Sequence, residues 1–218
     1  MVFEEEKQNV IDACKQLQRE GSVIGTWGNV SVRCDDKIVL TPSRVAYDDL
    51  TVEDMVVMSL EGEILESPRG RVPTSEREVH RQLYLARKDI KAVVHAHTLH
   101  AMAVSTLPIV EVPCLVEEMS QLLGGSIPLT KRYVPAEQHE KLGMAAAEVI
   151  GDRGAILLRN HGPVSCAPTL EEALLSVKVV ERACELYLSV MHSDYNKIPE
   201  QFVISERYRY THTYGKEV

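Results

Sequence analysis

Three histidines carry the densest chemistry in this 218-residue chain. Ala92-Val93-Val94-His95-Ala96-His97 is a run of small and β-branched apolar residues, the pattern of a buried strand, and it ends in two histidines two apart. On an extended chain those side chains point to the same side, which suits two imidazoles gripping one divalent cation. The pair also fits a second reading, as buried strand-end histidines satisfied by hydrogen bonds. Two ligands do not complete a site. His161 offers a third, because it follows the apolar run Ala155-Ile156-Leu157-Leu158 and precedes Gly162, which permits a sharp turn. Three imidazoles with an open fourth position match catalytic rather than structural zinc, although iron, cobalt, nickel and manganese also accept imidazole. His161 equally fits the role of a simple strand cap. His80, four residues after Glu76, and His100 read as solvated side chains or as supports behind a ligand; His139, His192 and His212 have no partner by spacing.

The elements that must position these residues are readable around them. Val10, Ile11, Cys14 and Leu17 form a helical stripe within residues 3–20, and Gly21 follows as a C-cap. A glycine-rich loop, Gly25-Thr26-Trp27-Gly28, then enters a hairpin of Val30-Ser31-Val32 and Ile38-Val39-Leu40, turning at Asp35-Asp36. A second hairpin spans residues 55–65 around Glu61-Gly62. Pro73-Thr74-Ser75-Glu76-Arg77-Glu78 predicts a helix start with Ser75 as N-cap and Glu78 closing a capping box; Glu76 then lies in the first turn, where the helix terminus favours its ionised form. That helix runs to about Arg87. A short helix over 98–105, a strand over 109–112, a helix over 137–150 and a long helix from Thr169 to about His192 complete the pattern. Alternating strands and helices with several hairpins imply one α/β domain over residues 1–218, a three-layer α/β/α sandwich on a mixed, mainly antiparallel sheet.

The net charge of −8 argues against general affinity for nucleic acid or anionic membrane, yet leaves room for a local phosphate pocket. Five scattered cysteines (Cys14, Cys34, Cys114, Cys166, Cys184) without a C-x-x-C pair read as reduced thiols. The N-terminus has no signal-peptide pattern, and no apolar run reaches the ~18 residues of a membrane span. A cytoplasmic protein is the expectation.

Five short motifs in order, Gly25-Thr26-Trp27-Gly28-Asn29-Val30-Ser31, Thr41-Pro42-Ser43, Pro73-Thr74-Ser75-Glu76, His95-Ala96-His97 and His161-Gly162, resemble the zinc-dependent class II aldolase/adducin family, most closely its L-fuculose-1-phosphate aldolase branch. The resemblance covers almost the whole chain. It implies substrate phosphate held by Thr26, Gly28, Asn29, Ser43, Thr74 and Ser75, with Arg44 standing where the aldolase pattern usually has glycine. It also implies one divalent metal per subunit, most simply Zn2+, on His95, His97 and His161. Glu76 becomes a displaceable fourth ligand and the catalytic acid/base. The implied reaction is reversible cleavage of a ketose 1-phosphate, of the fuculose, 5-deoxyribulose or methylthioribulose type, to dihydroxyacetone phosphate and a short aldehyde through a metal-stabilised enediolate. The family also implies a homotetramer with active sites near subunit interfaces, and a C-terminal tail over the site that makes Tyr214 a candidate acid.

Two positions discriminate between branches. Glu76 favours cleavage over epimerisation, because the similar pentulose-5-phosphate 4-epimerases usually carry aspartate there. Glu118 stands where fuculose-phosphate aldolases supply a tyrosine from a neighbouring subunit, and resembles the acid/base of methylthioribulose-1-phosphate dehydratases. Those dehydratases lack the equivalent of Glu76, whereas this chain has both carboxylates. Dehydration of methylthioribulose 1-phosphate and 4-epimerisation of a pentulose 5-phosphate are the alternative activities, and an adducin-like structural module is the non-enzymatic alternative.

Overall fold

The computed structural model describes residues 2–215, so the ends of the expected 1–218 span lie outside the described residues. Seven strands, β1 (Asn29–Cys34), β2 (Lys37–Leu40), β3 (Val56–Ser59), β4 (Ile64–Glu66), β5 (Ala92–His95), β8 (Ala155–Leu158) and β9 (Gly162–Ala167), form a sheet in the order β4-β3-β2-β1-β5-β9-β8. Every neighbouring pair in it is antiparallel. A small ribbon of β6 (Glu111–Val112) and β7 (Ile127–Pro128) lies beside it, and Leu129 makes a parallel bridge to Leu157.

Helices cover both faces. On one, Val10, Ile11, Cys14 and Leu17 of α1 (Glu4–Arg19) and Ala173 and Val177 of α5 (Leu170–Val190) pack with Val30, Val39, Ala92 and Val94. On the other, Val79 and Leu83 of α2 (Arg77–Ala86) and Leu142 and Ala146 of α4 (His139–Ile150) pack with Ile38, Leu40, Val93 and Ile156. This is the expected α/β/α sandwich. β5 reads as an unbroken apolar run because it lies between β1 and β9 with helices on both faces. Val93 and Val94 point to opposite layers and are fully buried, each contributing about 1.5–3 kcal/mol. A third apolar cluster joins α3 (Leu99–Ser105), α5 and α6 (Glu200–His212) with β6, β7 and β8.

Helix α2 is held in place by α4. At Gly143 of α4 a Cβ would fall inside the Glu78 carbonyl group, so only glycine allows the two backbones this close. The approach fixes the N-terminal end of α2, where Glu76 sits.

Four elements differ from expectation. The α2 cap is Glu76, with φ −97° and ψ 16°, and no side chain caps it. The Ser75–Glu78 capping box therefore does not form; the Thr74 hydroxyl accepts from the Glu76 N–H at 3.3 Å, and Glu78 instead pairs with Arg81 at 2.9 Å. Strand β9 begins Gly162-Pro163, residues that read as a turn, and proline is tolerated there because it lies at a strand start. Helix α6 escaped the periodicity reading because Val203 is its one fully buried apolar residue. The Arg207 guanidinium ties α6 to the carbonyls of Gln121 and Leu122, in a π-helical turn at Met119–Leu123 that was also unforeseen.

Candidate active site

Antiparallel pairing brings the start of β1, the end of β5 and the start of β9 to one end of the sheet, with Asn29 opposite His95 and His95 opposite Val164. His161 occupies the turn between β8 and β9. The loop after β2 arrives at the same end and pairs with the segment before α2: the Ser43 N–H donates to the Val72 carbonyl at 2.8 Å, and the Thr74 N–H to the Thr41 carbonyl at 3.1 Å. The cleft so formed has a volume of about 330 Å³. Its walls include Thr26, Gly28, Asn29, Ser43, Arg44, Thr74, Ser75, Glu76, His95, His97 and His161, eleven residues singled out from the sequence.

At its floor, ligand atoms of His95, His97 and His161 lie within 4.8 Å of one another. The Nε2 atoms of His95 and His97 face each other at 3.0 Å. The Glu76 carboxylate closes the cluster, Oε2 lying 3.2 Å from His95 Nε2 and Oε1 3.0 Å from His161 Nε2. The Nδ1–H of His95 donates to the Pro163 carbonyl at 2.9 Å, which leaves its Nε2 lone pair aimed inward. Burial pushes His95 down to about 3, against a smaller opposing pull from Glu76, and burial also lowers His97. Three imidazole nitrogens and the oxygens of one carboxylate converge on this point. That donor set fits a divalent cation, which would meet the charge requirement no protein group meets.

Burial alone would raise Glu76, but the His95 and His161 rings and the Asn29 amide outweigh it and hold the carboxyl well below the usual range. Asn29 Nδ2–H donates to Glu76 Oε2 at 2.8 Å. The Asn29 side-chain amide thus bonds the carboxylate, a contact additional to the phosphate role that the resemblance implies for this residue. Gly162 lets β9 approach β5: a Cβ there would meet the Ala96 carbonyl oxygen at 2.7 Å, between rings of His95 and His97 at 3.6 Å each.

At the rim that the resemblance assigns to phosphate, Thr26, Ser43, Thr74 and Ser75 and the exposed Arg44 border the cleft. Arg44 adopts a left-handed backbone, φ 59°, the conformation glycine takes without cost. Glu118 and Tyr214 do not line the cleft. Glu118 is exposed at the head of the π-helical turn, and Tyr214 is exposed beyond α6, its ring 5.7 Å from that of Tyr210 and 5.0 Å from the Arg209 guanidinium. Ala136, which also lines the cleft, carries no chemical signal in the sequence. His80 is buried behind Asn29, while His100 is half-buried and bonds Glu181 at 2.8 Å.

Residues 8–188 match the family model described as "Class II Aldolase and Adducin N-terminal domain". The L-fuculose phosphate aldolase of Escherichia coli (strain K12) is 35% identical over 184 residues, covering 84% of this chain and 83% of the relative. An L-ribulose-5-phosphate 4-epimerase of Salmonella paratyphi C (strain RKS4594) is 31% identical over 191 residues, covering 83% and 82%. A solved structure titled L-fuculose 1-phosphate aldolase superposes with a TM-score of 0.89 at 28% identity, covering 97% of this chain and 98% of that one.

Proposed function

Because the chain belongs to the class II aldolase/adducin family, we propose that it is a metal-dependent aldolase that reversibly cleaves a ketose 1-phosphate to dihydroxyacetone phosphate and a short aldehyde. The observation that carries this reading is Glu76, an ionised carboxylate within 3.2 Å of His95 and 3.0 Å of His161 at the floor of a cleft whose rim is set with hydroxyls and Arg44. Substrate phosphate is held at that rim by Thr26, Ser43, Arg44, Thr74 and Ser75, with Gly28 keeping the backbone close. A divalent cation on His95, His97 and His161, most simply Zn2+, supplies Lewis acidity toward the ketose oxygens when bound. In the cleavage direction the C4 hydroxyl loses its proton as the C3–C4 bond breaks with its electron pair left at C3 and C4 becomes the aldehyde carbon; the Glu76 carboxylate takes up a proton and passes it to C3, so that one proton leaves the substrate and one is added. In the reverse direction Glu76 removes the C3 proton. Glu118 and Tyr214 are read as groups that handle the C4 hydroxyl proton, Tyr214 from the tail and Glu118 from a neighbouring subunit.

A homotetramer with sites near its interfaces is supported by exposed apolar side chains in or beside the lining loops, Ile24, Trp27 and Val72, each 67% exposed or more. No described helix is long and apolar enough to cross a membrane, and we place the enzyme in the cytoplasm as one domain.

The test is a panel of fuculose, 5-deoxyribulose and methylthioribulose 1-phosphates offered to the metal-loaded enzyme, with dihydroxyacetone phosphate read by a coupled dehydrogenase. Dihydroxyacetone phosphate is expected from at least one. None from any of them refutes cleavage, and water loss from methylthioribulose 1-phosphate without it establishes the dehydratase reading that Glu118 favours. In Glu76→Gln, phosphate and metal are still bound while kcat falls by about 10²–10⁴; near-normal turnover places the base elsewhere.

A further inference from the structure

Behind Glu76 runs a chain of buried polar side chains that the reaction above does not use. Asn29 Oδ1 lies 2.5 Å from His80 Nε2, and His80 Nδ1 lies 2.6 Å from Ser31 Oγ. Ser31 Oγ lies 2.8 Å from the Tyr84 hydroxyl, which is also 3.1 Å from the Ser31 carbonyl. Ser31, His80 and Tyr84 are completely buried. They come from β1 and α2: Ser31 is two residues along the strand from Asn29, and His80 and Tyr84 are one turn apart on the helix that Glu76 caps.

The proton order along this chain follows from its end. An ionised carboxylate only accepts, so the Asn29 group facing Glu76 is the NH2 and the group facing His80 is the carbonyl. His80 Nε2 therefore carries a hydrogen, and its Nδ1 accepts. Ser31 Oγ–H is the donor to Nδ1, which leaves the single Tyr84 O–H shared between two acceptors on Ser31, Oγ at 2.8 Å and the carbonyl at 3.1 Å. Every hydrogen bond points the same way, from Tyr84 through Ser31, His80 and Asn29 to Glu76 Oε2. Four polar groups sunk in a core cost desolvation that an apolar set would avoid, and the end that gives them a use is the carboxylate.

We propose that the buried chain Tyr84–Ser31–His80–Asn29 positions Glu76, with His80 acting through Asn29 to lock the amide that aims the carboxylate at the histidine cluster. His80 is thus a positioning residue that touches neither substrate nor metal. The proposal rests on the reading of Glu76 as the acid/base. If His80 loses its Nε2–H, the Asn29 amide can flip, and an oxygen then faces the carboxylate. Glu76 swings away from the position where it serves both the metal cluster and C3.

The test uses the full chain with two variants at one position and a third further back. His80→Phe fills the space but removes the donor; His80→Gln keeps an N–H for Asn29 and an acceptor for Ser31; Ser31→Ala removes the group that fixes the His80 tautomer. On a turned-over ketose 1-phosphate, His80→Phe is expected to lose about 10–100-fold in kcat with KM within about threefold of wild type, Ser31→Ala to lose less, and His80→Gln to recover most of the loss. Equal kcat in the Phe and Gln variants, whether both normal or both impaired, overturns the proposal, since a merely structural histidine does not distinguish them. Two readouts do not depend on aldolase activity. Ring 15N shifts of His80 in the metal-free protein should show Nε2 protonated and Nδ1 bare; the opposite tautomer overturns the proposal. Co2+ titration followed by its visible spectrum should show altered bands in His80→Phe and wild-type bands in His80→Gln; unaltered bands in His80→Phe overturn it. Absence of turnover in the wild type with the expected tautomer and Co2+ pattern refutes the aldolase reading and leaves the chain standing.

Discussion

Gly162→Ala is the substitution whose effect can be worked from distances alone. The new Cβ would stand 2.7 Å from the Ala96 carbonyl oxygen, whereas ordinary contact begins at 3.4 Å, so the two backbones must separate by close to 0.7 Å. Neither side can absorb this in a flexible side chain, because the obstacle is main chain. Ala96 sits between His95 and His97, and His161 immediately precedes residue 162, so the displacement passes into all three imidazoles. Overpacking of this kind costs about 1–3 kcal/mol. A reduction of unfolded-state entropy returns about 0.4–1 kcal/mol, which leaves a modest net loss and a folded protein. The functional loss is larger, since a misplacement of about 1 Å can cost about 10²-fold in rate, and disturbed ligand geometry about 10–100-fold in metal affinity. Zinc competition against a chromophoric chelator reads the affinity, thermal unfolding with and without metal reads the stability, and the dehydrogenase assay reads kcat. Gly162→Ala with wild-type zinc affinity and kcat refutes the argument that this close approach sets the ligand geometry.

Two further predictions follow from named groups. Burial pushes His80 and His95 each down to about 3 from an ordinary 6.5; the unfolded chain therefore takes up protons first, and stability of the metal-free protein falls as pH drops from 6.5 toward 3, by up to about 1.4 kcal/mol per pH unit per histidine. Depression of Glu76 acts in the same direction below 4.5. Urea midpoints in the presence of chelator at pH 7, 6 and 5 measure the slope, and a flat profile contradicts it. Arg44→Gly should relieve a left-handed backbone worth about 1–2 kcal/mol, largely offset by the greater unfolded-state entropy of glycine, while removing a cation from the phosphate corner. The expected result is near-unchanged thermal stability with KM raised about tenfold, and a wild-type KM shows that the guanidinium does not meet phosphate.

Local patterns made much of this molecule legible. The α1 stripe, the two hairpins and the β5 run follow from the burial of apolar residues at helical or strand spacing, and His95-x-His97 follows from strand geometry. Ser75 misled because the capping box is a local rule. Glu76, expected inside the first turn, is drawn toward Asn29, His95 and His161 and becomes the cap itself, so the tertiary site overrides the local preference. Strand β9 was hidden by Gly162-Pro163, and α6 by having little to bury. For His80 the solvated and supporting readings stay open in the sequence, because spacing shows which face of a helix a residue occupies, but not whether a polar strand residue such as Ser31 waits opposite it. Glu118 and Tyr214 rested on resemblance, and in this chain both lie outside the cleft wall.

The pairing of Asn29 with His95 and of His95 with Val164 joins residues more than sixty positions apart in each case. Such long-range pairs form only after large loops close, which slows folding relative to local structure. His95 and His97 already stand together at the end of β5, but His161 joins them only once β9 has docked, so the three-histidine cluster is complete only late in folding. Uptake of metal by all three histidines then reports completed folding. A chain stalled before β9 docks would lack the third imidazole.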